Sequence, residues 1–407
     1  MTSFKLLLAQ IAVILIVARL MGWLFRKLHQ PRVIGEMVAG ILLGPSLLGW
    51  AAPTVFAALF PPESLGSLNS LSQIGLLLFM FLIGLELDLK QLRELGRTAI
   101  ITSQASIIAP FVLGLGLAFY LYPRLSDHTV GFTGFALFMS IAMSITAFPV
   151  LARILTERNL LRTRVGALAI TCAAVNDVTA WCVLAGIVVI VRTSALSVTL
   201  WGTLIGLGLF VLVMMVLVKP ALRRLARSYE KHGLTHDNLS LILLLTLACG
   251  WTTEFLGIHA LFGAFLAGVI TPRHHELSKE ILQRLESVTV VLLLPLYFAF
   301  TGLRSSFALI FSTGMWIYCL VIIALAVIGK FGGSLLAARF DGMSWRESAA
   351  VGILMNTRGL VELIILNVGL DLGVLSQSLF SAMVLMALVT TFMTSPLLNL
   401  IYPDRDI

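Results

Sequence analysis

A chain of 407 residues that is 59% hydrophobic and 12% charged, with a mean hydropathy of +1.01, carries more apolar surface than any soluble core absorbs. It reads as a polytopic, all-α membrane protein. Its net charge of +8 would suit a nucleic-acid partner only if the basic residues formed a patch, and they follow the loops instead.

Thirteen apolar segments are predicted, at 4–24, 33–49, 69–87, 99–121, 131–151, 165–190, 199–218, 239–256, 259–271, 288–303, 312–337, 348–370 and 378–401. Of the 28 Lys and Arg residues, 21 fall in alternate loops and the C-terminal tail. Four lie on the other side (Lys5, Arg124, Arg192, Arg304) and three inside segments (Arg19, Lys330, Arg358). The positive-inside rule then places the N-terminus outside and the C-terminus in the cytoplasm. A bacterial inner membrane is the expected host. Segment 1 is too long for a signal-peptide core and lacks a small-residue cleavage site, so it is expected to be a retained helix. No soluble domain follows residue 401, so no regulatory nucleotide-binding domain is expected on this chain, and residues 402–407 form a short cytoplasmic tail.

Segments 2 and 3 have echoes later in the chain. A-G-I-L-L-G-P at 39–45 answers A-G-V-I-T-P at 267–272, and the run Leu77 to Asp88 answers Leu293 to Arg304. Aligning Gly84-Leu85 with Gly302-Leu303 matches segments 2 and 3 to segments 9 and 10, and the copies start on opposite sides of the membrane. That predicts two inverted six-helix repeats, segments 1–6 and 8–13, with segment 7 as connector. Glu86 and Asp88, near the cytoplasmic end of segment 3, and Glu36, at the start of segment 2, read as helix-end carboxylates.

The repeat is tested at segment 5. It breaks at S-I-T-A-F-P (Ser144 to Pro149), and its counterpart, segment 12, breaks at M-N-T-R-G-L (Met355 to Leu360). Paired interruptions at matching positions point to a binding site at the midplane, where freed backbone must line a cavity or pack on protein. Thr146 and Ala147 offer backbone carbonyls there, and the Thr146 hydroxyl is a hard oxygen suited to Na+ or K+. Thr357 marks the centre of the second break.

Segment 6 carries the pair Asn176-Asp177, with Asp177 at the midpoint of the apolar run 163–191. A carboxylate at that depth costs roughly 2.5–3.5 kcal/mol on insertion scales, so it reads as functional. It can hold a proton or a cation but not both, which suffices to exchange one for the other. Asn176 would either lend its amide oxygen to a dehydrated cation or hold neighbouring carbonyls. Lys330, inside segment 11, would pair with the Asp177 region, stabilise the half-helix ends, or snorkel to the interface. Arg358 cannot lose its charge, and Glu362 at i+4 is its natural partner. Glu254 and His259 flank a short external turn, the latter as a packing histidine. The four cysteines (Cys172, Cys182, Cys249, Cys319) lie in apolar segments at no metal-ligand spacing and read as core packing. H-E-x-x-H, G-x-S-x-G and Walker sequences are absent, so neither an enzyme nor a cofactor is expected.

S-I-T-A-F-P-V-L-A-R-I-L (Ser144 to Leu155), A-A-V-N-D-V-T-A-W (Ala173 to Trp181), L-M-N-T-R-G-L-V-E-L-I-I-L-N-V-G (Leu354 to Gly369) and G-I-H-A-L-F-G-A-F-L-A-G (Gly257 to Gly268) resemble the monovalent cation:proton antiporter-2 family, most closely its plant cation/proton exchanger branch and bacterial relatives. The resemblance implies a homodimer of thirteen-helix protomers in the lipid bilayer. A scaffold (1–90 and 238–305) would hold the dimer, with a connector helix at 199–218. A mobile core (97–192 and 310–401) would carry the crossed discontinuous helices of segments 5 and 12 and move like an elevator. The family's ion- and proton-binding aspartate maps onto Asp177, its crossing-point threonine onto Thr146 and its core lysine onto Lys330. Electrogenic members have two adjacent aspartates; here Asn176 stands in the first position, which implies electroneutral exchange of one proton for one Na+ or K+. The alternatives are a potassium efflux channel, for which a T-V-G-Y-G-like filter is missing, a sodium-coupled symporter, for which Asn176-Asp177 offers little to an organic group, and a non-transporting sensor, which has no use for the cost of Asp177, Lys330 and Arg358.

Overall fold

The structure is a computed structural model that describes residues 3–28, 30–86, 97–158, 160, 163–193, 198–257, 259–272, 275–307, 310 and 314–402. Asp88 and the tail beyond residue 402 lie outside the described residues. Every regular element described is helical. The helices run α1 (Ser3–Lys27), α2 (Arg32–Leu43), α3 (Pro62–Glu86), α4 (Arg97–Leu125), α5 (Phe132–Ser144), α6 (Phe148–Glu157) and α7 (Arg164–Thr193), with two short helices, Leu48–Ala51 and Pro53–Leu59, between α2 and α3. Next comes α8, which starts as Val198–Val213 and continues through a π-helical turn, Met214–Val218, into the basic stretch Lys219–His232. It is followed by α9 (His236–Phe255) and α10 (Ala260–Ile270). Two further helices also contain a π turn: α11 (His275–Val288, Thr289–Leu293, Leu294–Leu303) and α12 (Trp316–Val327, Ile328–Gly332, Gly333–Phe340). The last three are α13 (Trp345–Met355), α14 (Leu360–Asp371) and α15 (Gln377–Ile401).

Ten helices among the described residues are long and apolar enough to cross a bilayer. The remaining apolar segments fall on α5–α6, α10 and α13–α14, which are shorter or interrupted. Local chemistry sets several ends. Ser344 and Glu347 form a reciprocal capping box at the start of α13. Glu254 accepts from the Ala260 amide (2.9 Å), placing a carboxylate at the N-terminus of α10. Cys172, Cys249 and Cys319 are buried packing residues, whereas Cys182 sits on an exposed face.

The chain divides into two compact units. The first comprises Met1–Leu15, Leu59–Asp88 and Val188–Phe300. Its core includes Phe81, Leu85, Ile242, Cys249, Ala267 and Ile281. Here α10 is clasped between α3 and α9 by glycines. A Cβ on Gly84 would overlap the Phe265 carbonyl, one on Gly268 the Phe81 carbonyl, and one on Gly263 the Cys249 carbonyl. Gly268→Ala therefore has to push two backbones apart, and overpacking of this kind costs about 1–3 kcal/mol. Detergent-solubilised Gly268→Ala is expected to melt below wild type, while Gly66→Ala, with open space around the added carbon, melts with it. Equal melting of the two variants would contradict the close packing.

The second unit comprises Ile16–Ala58, Leu89–Ile187 and Thr301–Ile407. It contains both interrupted helix pairs, α5–α6 and α13–α14, together with α4, α7, α12 and α15. Its core is built from Val150, Leu151, Ile154, Leu155, Ala169, Ala173, Val351 and Leu354. Inside this unit α2 meets the end of α11 at Gly40 and Gly302, again with no room for a Cβ.

Candidate ion site

The two breaks meet. After Ser144 the backbone runs extended through Ile145–Ala147 and turns helical again at Phe148. Pro149 falls in the first turn of α6, where a missing N–H costs nothing. The second pair parts at Asn356–Gly359. The Ala147 amide donates to the Thr357 carbonyl (3.0 Å), and the Thr146 hydroxyl donates to the Met355 carbonyl (2.9 Å). Each break thus satisfies backbone groups that the other leaves open. The Ala147 carbonyl accepts from the Leu151 amide (3.0 Å), so it opens the hydrogen-bond ladder of α6. The Thr357 hydroxyl lies 3.3 Å from that of Thr394 on α15.

A helix that stops in the middle of a bilayer leaves its last carbonyls with no water to bond. At the end of α5 they are taken by two cations. Arg358 donates from Nη1 to the Ala142 carbonyl (2.8 Å) and from Nη2 to the Met143 carbonyl (2.5 Å). Lys330 donates to the next carbonyl, that of Ser144. Both side chains are fully buried. Arg358 also pairs with Glu362 (Nη1 to Oε2, 2.9 Å), equally buried. The pair joins the break to the first turn of α14, because that helix starts only at Leu360, and not two positions of one continuous helix.

Lys330 stands on the π turn of α12, a feature that hydropathy cannot reveal. Gly329 and Gly333 let α12 lie against the backbone of α4: an added Cβ would sit 2.7 Å from Pro110 Cα and 2.9 Å from the Ala105 carbonyl. That approach brings Nζ within 3.0 Å of the Ser106 carbonyl. Its third acceptor is Asn176. An NH2 group beside the ammonium would set donor against donor, so the amide oxygen faces Lys330, at 3.0 Å. The Asn176 NH2 then donates to Ser103 Oγ (3.1 Å) and the Cys172 carbonyl (3.3 Å). The three N–H groups of Lys330 thereby meet three neutral acceptors.

Asp177, on α7, is buried next to this network. Among the described residues neither of its carboxylate oxygens has a hydrogen-bond partner of good geometry, and it forms no ion pair with Lys330. The Phe148 amide, at the N-terminus of α6, approaches it. The structure therefore gathers Asp177, Asn176, Thr146, Ala147, Lys330, Thr357, Arg358 and Glu362 in one unit, around the junction of the breaks. Ser103 and Ser106 belong to the same cluster and are absent from the sequence reading. Their only trace is the run T-S-Q-A-S (Thr102 to Ser106), five small or polar residues inside an apolar segment.

An all-helical membrane protein with two broken helices joined over buried charges has the build of a secondary transporter. Residues 13–400 match the family model described as "Sodium/hydrogen exchanger, transmembrane", and the chain belongs to that family, whose members are transporters and not enzymes. It is 44% identical over 403 residues to the Na(+)/H(+) antiporter NhaS4 of Synechocystis sp., covering 98% of each chain. It is also 44% identical over 402 residues to Cation/H(+) antiporter 17 of Arabidopsis thaliana; that match takes in 98% of this chain and 49% of the plant protein, so the chain spans about half the plant relative's length. The solved structure of the sodium proton antiporter MjNhaP1 from Methanocaldococcus jannaschii at pH 8 shares the fold, with a TM-score of 0.63 at 13% identity over 98% of this chain and 97% of that one.

Proposed function

We propose that this chain is a secondary antiporter exchanging Na+ or K+ for H+, with Asp177 holding the cation and the proton in turn. The observation that carries the reading is the pair of buried, unpartnered oxygens on Asp177 beside a lysine whose donors are all engaged elsewhere. A carboxylate in that position needs a positive ligand, and either a proton or a dehydrated monovalent cation supplies one. The Thr146 hydroxyl and backbone carbonyls at the breaks are the hard oxygens to complete a cation's shell. Lys330, Arg358, Glu362 and Thr357 hold the junction in shape. Asn176 supports Lys330 and does not titrate, which favours electroneutral 1:1 exchange.

The finer architecture belongs to the same proposal. Counting α5–α6, α10 and α13–α14 as spans alongside the ten long helices gives thirteen. Two inverted repeats would map Gly84 onto Gly302 and Gly40 onto Gly268. In support, Gly84 and Gly268 face each other across α3 and α10, and Gly302 and Gly40 do so across α11 and α2. The symmetry exchanges one crossing for the other. On this reading residues 1–90 and 238–305 form the scaffold of a homodimer, 199–218 the connector, and 97–192 and 310–401 an elevator-like core. The membrane is a bacterial inner one, with the N-terminus outside and the C-terminus cytoplasmic.

The test is proton movement in proteoliposomes under a pH gradient, followed with a pH-sensitive dye as Na+, K+ or Li+ is added, with the voltage first clamped to zero and then free. Cation-driven proton flux that ignores voltage supports the whole reading and identifies the ion. Flux that follows voltage retains antiport but removes the 1:1 stoichiometry. Cation flux without proton flux would leave a channel or symporter instead.

A further inference from the structure

Asn176 is a neutral amide in contact with an ammonium, and only one of its two orientations is tolerable there. The orientation matters because Lys330 also feels the charge of the Asp177 carboxylate, whose oxygens have no hydrogen-bond partner of good geometry. Two groups fix the ends of the amide: Lys330, which only donates, and the Cys172 carbonyl, which only accepts. The rest of the restraint comes from α4. Ser103 Oγ accepts from the NH2 at 3.1 Å, and the Ser106 hydroxyl lies 2.9 Å from the amide oxygen. Both serines are fully buried. Three residues apart, they share one face of α4; the single Ser106 proton goes either to the amide oxygen or to the Ser103 carbonyl 2.8 Å away. Ser106 further contributes its own carbonyl to Lys330 (3.0 Å).

We propose that Ser103 and Ser106 are positioning residues for ion exchange: they hold the Asn176 amide with its oxygen on Lys330, which keeps the lysine off Asp177 and leaves that carboxylate open to the cation. This rests on the assignment of Asp177 as the exchange site. Without the two hydroxyls the amide, still oriented by Lys330 and the Cys172 carbonyl, loses the contacts that hold it in place from the side of α4 and can swing off the ammonium. Lys330 then loses an acceptor and turns to the Asp177 carboxylate, and an arriving cation has to displace it.

Ser103→Ala/Ser106→Ala, reconstituted as the full chain, is expected to raise the apparent KM for the transported cation about tenfold while Vmax falls less than twofold. A purely structural role predicts lost protein or lost Vmax instead. The decisive background is Asn176→Asp, because a carboxylate presents an acceptor to Lys330 whichever way it turns. In that background the double serine variant is expected to leave KM unchanged. If the full double variant cannot be purified, Ser103→Ala and Ser106→Ala singly carry the test, with a rise of about threefold each. An unchanged KM in the serine variants overturns the proposal, as does an equal rise in both backgrounds. Asp177→Asn, assayed in parallel, separates the two levels. Exchange that survives there overturns the site itself, whereas its loss beside an unchanged serine-variant KM overturns only the positioning role.

Discussion

Asp177→Asn is expected to lower cation-driven proton flux below a tenth of wild type and to leave the melting temperature unchanged or raised. The two halves of this result have one cause. Asparagine has nearly the shape of aspartate, so the packing of α7 at this position survives. What disappears is a buried ionisable group whose oxygens have no donor of good geometry. An unpaired charge in an apolar interior is a strong destabiliser, and a neutral amide in the same place leaves only unsatisfied polar atoms, at about 1–3 kcal/mol. The wild-type residue therefore sacrifices stability for a group that can trade one positive ligand for another. A drop in melting temperature together with lost flux would recast Asp177 as a structural residue. Flux above a tenth of wild type would move the exchange site elsewhere.

The second large effect is expected at Arg358. Arg358→Met should lose most folded protein, because it both strands Glu362 as an unpaired buried carboxylate and strips two carbonyls from the end of α5. Breaking a buried ion pair from one side costs about 3–5 kcal/mol. The informative variant is the double, Arg358→Met/Glu362→Leu. Replacing a whole buried pair with apolar residues is often neutral or stabilising, so a residue that only balanced Glu362 could be removed this way at no loss. Here the Ala142 and Met143 carbonyls stay unsatisfied, at about 1–3 kcal/mol each. The double variant is thus expected to melt between Arg358→Met and wild type. Recovery to the wild-type melting temperature would show that the guanidinium does nothing for the broken helix.

Much of this centre was legible in one dimension because it offends the membrane. Hydropathy alone places Asp177 at the middle of its segment, and Pro149 and Gly359 mark helices that cannot run through. The Arg358–Glu362 contact follows from spacing, although the pair spans a break and not a helical turn. What spacing could not supply is the partner chosen by each charge. Lys330 reads as a candidate companion for Asp177, yet its acceptors are an amide and two carbonyls on α4, α5 and α7, set by a π turn and two glycines that bring α12 against α4. The carbonyls of Ala142 and Met143 carry no side-chain signature at all. Ser103 and Ser106 are ordinary residues in an apolar helix until Asn176 is seen beside them. Contacts between residues 70 or more apart in the chain, such as Ser106 with Asn176 and with Lys330, are properties of the packed unit and leave no local pattern.

The glycine crossings have a mechanical meaning. Where α3 lies on α10, and where α2 lies on α11, peptide groups abut with no side chains between them. Side-chain layers yield by changing rotamer; abutting backbones have no such compliance. A displacement along either crossing would have to lift one ridge of carbonyls over another, so each of these helix pairs behaves as a stiff strut that passes a push on one member to the other without slack. Bulkier residues at Gly84, Gly268 and Gly302 would cost stability and would also introduce play.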